Sequence, residues 1–445
     1  MSRNVLLVTV DSLRADHCGF SGETGRAQGL TLTPTVDRLA ANAVTFTRAL
    51  SPGPRTPSSM PAVFTGEFFR PDDLAVYRDY ETKARRWQDR QRRIADHMAR
   101  FRSLAQRLRG RGYSTAGVTA NPWTTRDANF HQGFDEFHAV ATPDANGRSW
   151  YAPIVDRIGD AVGIDWEGTL LTWPDFYGTV RRARASLSEP YFLWLFVLDP
   201  HQPYIAPREY RTENTGPEML YANARYNYGH GYTEELPGHL DRRLRRSYRD
   251  TVRSVDGLVD RLRRDFATDD PVTVFHADHG EALGEHGTVG HRPQLYRENV
   301  HVPLFVHGLD RTERVDDPVS LRSLPDVVVA AADDGLDPTR FTRPFVVSRT
   351  EECERIGVRS AEWSYQTAAD GWEYVHGADR AELYRLGADP DEQRNVVADR
   401  PDGRALFESL VGNHEEGRRE RDRIGDGAAT IDRTVTGGRE VSRRR

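Results

Sequence analysis

The stretch Asn4-Val5-Leu6-Leu7-Val8-Thr9-Val10, closed by Asp11, decides the fold. A strand with one wet face alternates apolar and polar side chains. An unbroken β-branched and aliphatic run is dry on both faces, which marks a parallel strand buried in a sheet. Similar runs recur at Ser114–Ala120, Tyr191–Leu198, Val272–His276 and Val302–His307. Helical patterns separate them. Leu74 to Arg109 is charged and amphipathic, a solvated face, and Leu240 to Phe266 carries Val252, Val255, Leu258, Val259 and Leu262 at helical spacing. Strands alternating with helices predict an α/β fold with a doubly wound, mainly parallel sheet flanked by helices.

Beyond about Gly335 the texture changes. Phe345–Ser348, Ile356–Arg359, Trp363–Thr367 and Trp372–Val375 read as short strands, with a final helix around Arg404 to Val411. The expected organisation is a catalytic α/β domain over 1–335, a small subdomain with an antiparallel sheet over 336–412, and a disordered tail over 413–445.

The 445 residues carry a net charge of -6 with 29% charged side chains, which argues against nucleic acid as a partner. Arginine almost wholly replaces lysine, Lys83 being the only one. Two cysteines, Cys18 and Cys353, make no disulfide framework and suit a reducing compartment. The run before Asp11 is too short for a signal segment, and Tyr191–Leu198 is too short for a membrane span. A soluble cytoplasmic protein is the expectation. Oligomeric state is not legible.

In a doubly wound sheet, ligands bind at the carboxyl ends of the strands. The polar residues that follow the strands are Asp11, Asn121, Asp199 with His201, and Asp278 with His279, so all are expected at one edge. Two carboxylates and an imidazole suit a divalent cation. The stretch Ser51–Gly66 reads as a loop entering a helix, with Thr56 at the N-cap and Pro57 in the first helical position. A hydroxyl there is either a plain cap or, beside a metal ion and an anion, a nucleophile. The segment Asp278–His291 is rich in glycine and histidine. Its glycines permit close backbone approach to a ligand. His291 and His201 are either structural histidines or donors to an oxyanion and a leaving group.

Assembled in order, these motifs resemble the sulfatase family of the alkaline phosphatase superfamily. The resemblance runs from about Asn4 to Asn395, through Asn4–Arg14, Thr33–Ala40, Gly133–Phe137, Asp199–Tyr204, Asp278–Gly287 and Glu382–Asn395. It implies one divalent ion (Mn, Mg, Ca or Zn) held by Asp11, Thr56, Asp278 and His279. It implies catalytic roles for Thr56, His201 and His291, and substrate contacts from Ser12, Asn121 and Arg55. The family nucleophile lies nine residues before a Thr-Gly pair, here Thr65-Gly66, which assigns that position to Thr56.

The departures carry information. Family members of the usual kind have Cys or Ser at this position, converted to formylglycine, and threonine is no substrate for that conversion. Ser12 stands for a second aspartate, and Asn121 and His291 stand for lysines. The implied activity is hydrolysis of a sulfate ester of a small molecule or glycan through a Thr nucleophile. The alternative on the same scaffold is a phosphodiester or phosphonate monoester hydrolase, or a phosphoglycerol or phosphoethanolamine transferase. A non-catalytic binding protein would require a broken metal site, and Asp11, Asp278 and His279 look intact.

Overall fold

The computed structural model describes residues 2–21, 30–69, 83–140, 171–226, 236–350, 355–368 and 379–420. In chain order its strands begin with β1 (Val5–Val10), β2 (Ala43–Leu50), β3 (Ser114–Thr119), β4 (Glu136–Ala139), β5 (Tyr191–Val197) and β6 (Val272–Ala277). They continue with β7 (Ala282–Leu283), β8 (Val289–Gly290), β9 (His301–His307), β10 (Glu313–Val315) and β11 (Val319–Ser320). The main sheet runs β10-β2-β9-β6-β1-β5-β3-β4, with β11 on β2. β1 lies between β5 and β6, parallel to both, and is buried along its whole length.

Two features depart from the sequence reading. β2 was not among the expected strands. β9 pairs antiparallel with both β6 and β2. A strand buried on both faces writes the same apolar run whichever way it points, so the pattern of Val302–His307 does not encode direction. The reversal matters for the site. β2 and β6 both oppose β9, so β2 runs with β6 and delivers its C-terminus to the same edge.

The pattern over Leu74 to Arg109 resolves into two helices, Lys83–Arg100 and Leu104–Arg109; residues 74–82 lie outside the described ones. Ser103 restarts the chain as an N-cap, its hydroxyl accepting from Gln106 N while its N–H donates to Gln106 Oε1 at 2.8 Å. The helix Thr56–Thr65 is buried on every side, and its Phe64 ring sits 4.4 Å from that of Trp194 on β5. A helix buried all round lies inside the core rather than on it, and its Thr56, Ser58 and Ser59 hydroxyls are left to the site.

The C-terminal sheet is antiparallel, in the order β12 (Val346–Arg349), β13 (Arg355–Arg359), β14 (Trp363–Ala368) and β15 (Ala381–Arg385). The expected strand at Trp372–Val375 lies outside the described residues, and the fourth place is taken by β15. Val358, Tyr365, Leu383 and Phe407 bury the sheet against a helix over 401–420. That helix continues past Asn413, so residues 413–420 are ordered rather than part of a tail; 421–445 lie outside the described residues.

His286 clamps the two sheets together. Its Nδ1 lies 2.7 Å from Glu298 Oε1, its Nε2 2.9 Å from the Glu392 carbonyl, and its ring stacks 3.6 Å over Tyr296. Burial pulls its pKa down, but the Glu298 hydrogen bond and charge outweigh this and raise it to about 9. A raised histidine contributes stability in full below its unfolded value and loses it as pH rises through the folded one. The difference in unfolding free energy between parent and His286→Gln should therefore shrink steadily between about pH 6.5 and about pH 9, from at most about 3 kcal/mol. Denaturant titrations across that range check it. A constant difference would remove the imidazolium from this role.

Candidate active site

β1 and β6 are neighbours in register, Val10 opposite Ala277, so the residues that follow them emerge side by side. Asp278 N–H donates to Val10 O at 3.1 Å, and Asp11 N–H donates to Val197 O at 3.1 Å. Both carboxylates are fully buried. His279 follows directly. Its Nδ1 lies 2.8 Å from the Gly280 carbonyl, which only an N–H can satisfy, so Nε2 is left bare. That Nε2 is 3.4 Å from Asp11 Oδ1 and 3.5 Å from Asp278 Oδ2.

Gly280 serves packing rather than ligand approach. A Cβ there would stand 2.1 Å from the Glu298 carbonyl oxygen. The glycine lets the turn lie against that backbone, where its N–H donates to Asn299 O at 2.9 Å.

Thr56 arrives from β2 through the loop 51–55. Arg55, with extended backbone (φ -146°, ψ 157°), is the N-cap, and Thr56 is the first helical residue, so the helix starts one place earlier than expected. Ser58 handles the helix start: its Oγ accepts Arg55 N–H at 3.3 Å and donates to Arg55 O at 2.9 Å. The Thr56 hydroxyl is thereby released from capping. It lies 3.3 Å from His279 Nε2 and accepts from Asn121 Nδ2 at 3.2 Å. Ser59 fastens the helix to the end of β6, donating to Asp278 O at 2.6 Å.

Asn121 also donates to Asp11 Oδ2 at 2.6 Å, bridging nucleophile position and carboxylate. Ser12 donates its amide to Asp278 Oδ1 at 3.3 Å and its hydroxyl to Asp11 Oδ1 at 3.0 Å. It does so with φ at 60°, a left-handed conformation that costs a non-glycine residue on the order of 1 kcal/mol. Tyr248 holds that backbone in place through a 2.8 Å bond to Ser12 O. Arg55 reaches the same corner, its Nε–H donating to the His291 carbonyl at 2.8 Å. The His291 ring lies 4.9 Å from those of both His201 and His279, so the three imidazoles form one wall.

Two residues differ from expectation. Asp199 does not join the cluster. It turns to the start of the helix Trp173–Ser186 and accepts Trp173 N–H at 3.3 Å, while burial pushes its carboxyl up to about 7. Glu281, which lies inside the Asp278–Gly287 motif and was given no role of its own, is fully buried with Oε1 3.2 Å from His291 Nδ1. The sequence held the signal, a glutamate two places after His279, but its partner is ten residues away, just past β8.

The cluster is electrostatically incomplete as protein alone. Burial pushes Asp278 up to about 7, against the Thr56 hydroxyl and the Ser12 and His279 amides. Burial and then the Asp278 charge raise Asp11. Burial, then His291, lower His279 to about 4, so it is neutral at pH 7. Among the described residues Asp278 Oδ2 is buried with no hydrogen-bond partner. Asp11, Asp278 and His279 offer ligand atoms within 4.8 Å of one another. Two carboxylates, a neutral imidazole and a hydroxyl fit one hard-to-borderline divalent cation.

The sheet and the cluster at its carboxyl edge define an α/β protein with a candidate metal-binding site. The chain belongs to the sulfatase family, whose model matches residues 3–329. It is similar to human iduronate 2-sulfatase, 26% identical over 364 residues that cover 69% of this chain and 60% of that protein. The chain thus spans less than two thirds of that relative's length. Among solved structures it is similar to the phosphonate monoester hydrolase of Agrobacterium radiobacter (TM-score 0.64, 17% identity, 93% of this chain and 96% of that one). It is also similar to a 2-O GAG sulfatase (TM-score 0.61, 16% identity, 93% and 92% covered). At such identities the structural likeness is one of fold. No helix among the described residues is long and apolar enough to cross a membrane.

Proposed function

We propose that this protein is a divalent-metal-dependent hydrolase that cleaves a sulfate ester with Thr56 as nucleophile. The observation that carries the reading is the Thr56 hydroxyl, uninvolved in capping, 3.3 Å from the bare Nε2 of His279 and within the Asp11–Asp278 cluster. A divalent ion bound by Asp11, Asp278, His279 and Thr56 would lower the pKa of that hydroxyl and neutralise charge on the ester oxygens. The Asn121 amide steadies the Thr56 oxygen against Asp11. Thr56 gives up its proton to solvent water, its Oγ forms a bond to sulfur, and the ester C–O–S bond breaks at sulfur. The departing alcohol oxygen takes a proton from His291, whose Nδ1 is held by Glu281, with His201 alongside to contact the ester. Water then attacks sulfur, one of its protons returning to His291 and the other to the Thr56 oxygen, so that sulfate leaves and both side chains are restored. Ser12 and Arg55 act at one remove, positioning Asp11 and the His291 loop.

The relatives named for iduronate and GAG substrates point to a sulfated glycan or its fragments as the ester here. A second reading keeps the scaffold and changes the ester. Threonine in place of a formylglycine precursor, together with the fold of a phosphonate monoester hydrolase, favours a phosphodiester or phosphonate monoester, with hydrolysis or transfer to an alcohol. A matrix of Mg, Mn, Ca and Zn against aryl sulfate, aryl phosphodiester and phenylphosphonate ester separates the two. The first reading requires the largest kcat/KM on the sulfate. We place the protein in the cytoplasm, in keeping with the buried free thiol of Cys18.

The role of His291 has its own test. His291→Asn should lower turnover of an alkyl sulfate by about 10²- to 10³-fold, the usual worth of a positioned acid. A 4-nitrophenyl ester, whose leaving oxygen needs no proton, should lose far less. An equal loss on both esters would take the leaving-group proton away from His291.

A further inference from the structure

Both buried carboxylates of the cluster lean on Ser12, which gives its amide to Asp278 and its hydroxyl to Asp11. It does so from a left-handed backbone (φ 60°) that serine disfavours. The other side of the residue is gripped by Tyr248, from the helix Gly238–Asp265. The Tyr248 hydroxyl donates to Ser12 O at 2.8 Å and accepts Arg14 N–H at 3.1 Å, bridging a carbonyl and an amide two residues apart. Both ends of this bridge are fixed. The Arg14 guanidinium donates to Asp16 Oδ2 at 2.7 Å and to Glu281 O at 3.1 Å. The Tyr248 ring meets those of His17 and Tyr204 edge-on, with centroids 5.0 and 5.4 Å away. Ser12 and Tyr248 are fully buried, so the carbonyl has no water to turn to.

We propose that Tyr248 is a positioning residue for the divalent ion: its hydroxyl locks Ser12 in the left-handed conformation and thereby orients Asp11 and Asp278 as ligands. The inference rests on the metal-dependent reading above. Without that hydroxyl, Ser12 O and Arg14 N–H are left buried and unpaired, and the turn relaxes towards the negative φ that serine prefers. A negative φ swings the Ser12 amide off Asp278 and its hydroxyl off Asp11. Hydrogen bonds that orient metal ligands from behind set a factor of about 10 to 100 in metal affinity.

The test is calorimetric titration of the full chain with whichever of Mg, Mn, Ca and Zn the parent binds most tightly, which needs no turnover. Tyr248→Phe keeps both ring contacts and removes one oxygen. It should weaken Kd for the ion by about tenfold or more. In a Ser12→Gly background the same change should cost only about twofold, because glycine enters the left-handed region without a steric penalty. Leu258→Ala, a core truncation on the same helix ten residues on, separates affinity from stability. It should lower the melting temperature in chelator at least as far as Tyr248→Phe does, yet leave Kd within about twofold of the parent. An unchanged Kd in Tyr248→Phe overturns the inference and leaves the metal centre standing. So does an equal loss in the serine and glycine backgrounds, which would show that the hydroxyl does not act through the Ser12 backbone. So does an equal loss of affinity in Leu258→Ala, which would reduce Tyr248 to a support of the fold. A parent that binds none of the four ions removes the metal-dependent reading, and the inference falls with it.

Discussion

Thr56→Ala is expected to lose about 10⁴-fold or more in kcat, the scale on which removal of a nucleophile acts. Its melting temperature should stay within a few degrees of the parent. Thr56 is the first residue of its helix and does not cap it, so alanine removes neither a helix-start bond nor a core contact of consequence. What it removes is the oxygen between His279 Nε2 and Asn121 Nδ2. Thr56→Ser separates the hydroxyl from the methyl group. It keeps the oxygen and should retain turnover well above that of the alanine variant. If Thr56→Ala keeps parental activity on a substrate of the parent, the hydroxyl is not the nucleophile and the proposed chemistry fails.

The second large effect is expected at Asp278. Asp278→Asn should abolish turnover and remove the gain in melting temperature that a divalent ion gives the parent. In chelator, the same variant should be more stable than the parent at neutral pH. The reason is the pair of buried carboxylates, Asp11 and Asp278, whose pKa values burial raises. A carboxyl raised in the folded state contributes stability fully below its unfolded pKa and loses it as pH rises through the folded value. For Asp278 that window runs from 3.8 to about 7. Metal-free parent should therefore lose stability from about pH 4 to pH 7, and Asp278→Asn should show a shallower slope. Bound metal reverses the sign of the effect, because the ion compensates both carboxylates. Thermal scans with and without chelator, at several pH values, decide the matter. A parent indifferent to every divalent ion tried, or an asparagine variant still stabilised by one, would dissolve the proposed metal centre.

Much of this was legible in the chain. The dry runs of β1, β3, β5 and β6 mark their own burial, and each ends on the polar residue that the sheet edge uses. Parallel strands share one carboxyl edge, so Asp11, Asn121, His201, Asp278 and His279 follow from strand ends alone. The choice of Thr56 came from the resemblance to the sulfatase family, through the family's spacing to a Thr-Gly pair.

Other features required coordinates, because they depend on contacts between segments far apart in sequence. The reversal of β9 brings β2, and with it Thr56, to the correct edge, yet an apolar run carries no arrow. Asp199 sits at a strand end like its neighbours but turns to cap the helix at Trp173, a choice made by where that helix packs. Ser58, rather than Thr56, serves the helix start, because Arg55 adopts the extended backbone that shifts the cap by one residue. Glu281 acquires its meaning only from the His291 ring beside it. Local pattern tells each segment how deeply to bury and where to stop. Which side chains then meet around a common point is decided by the registers and directions of strands that the chain visits at widely separated times.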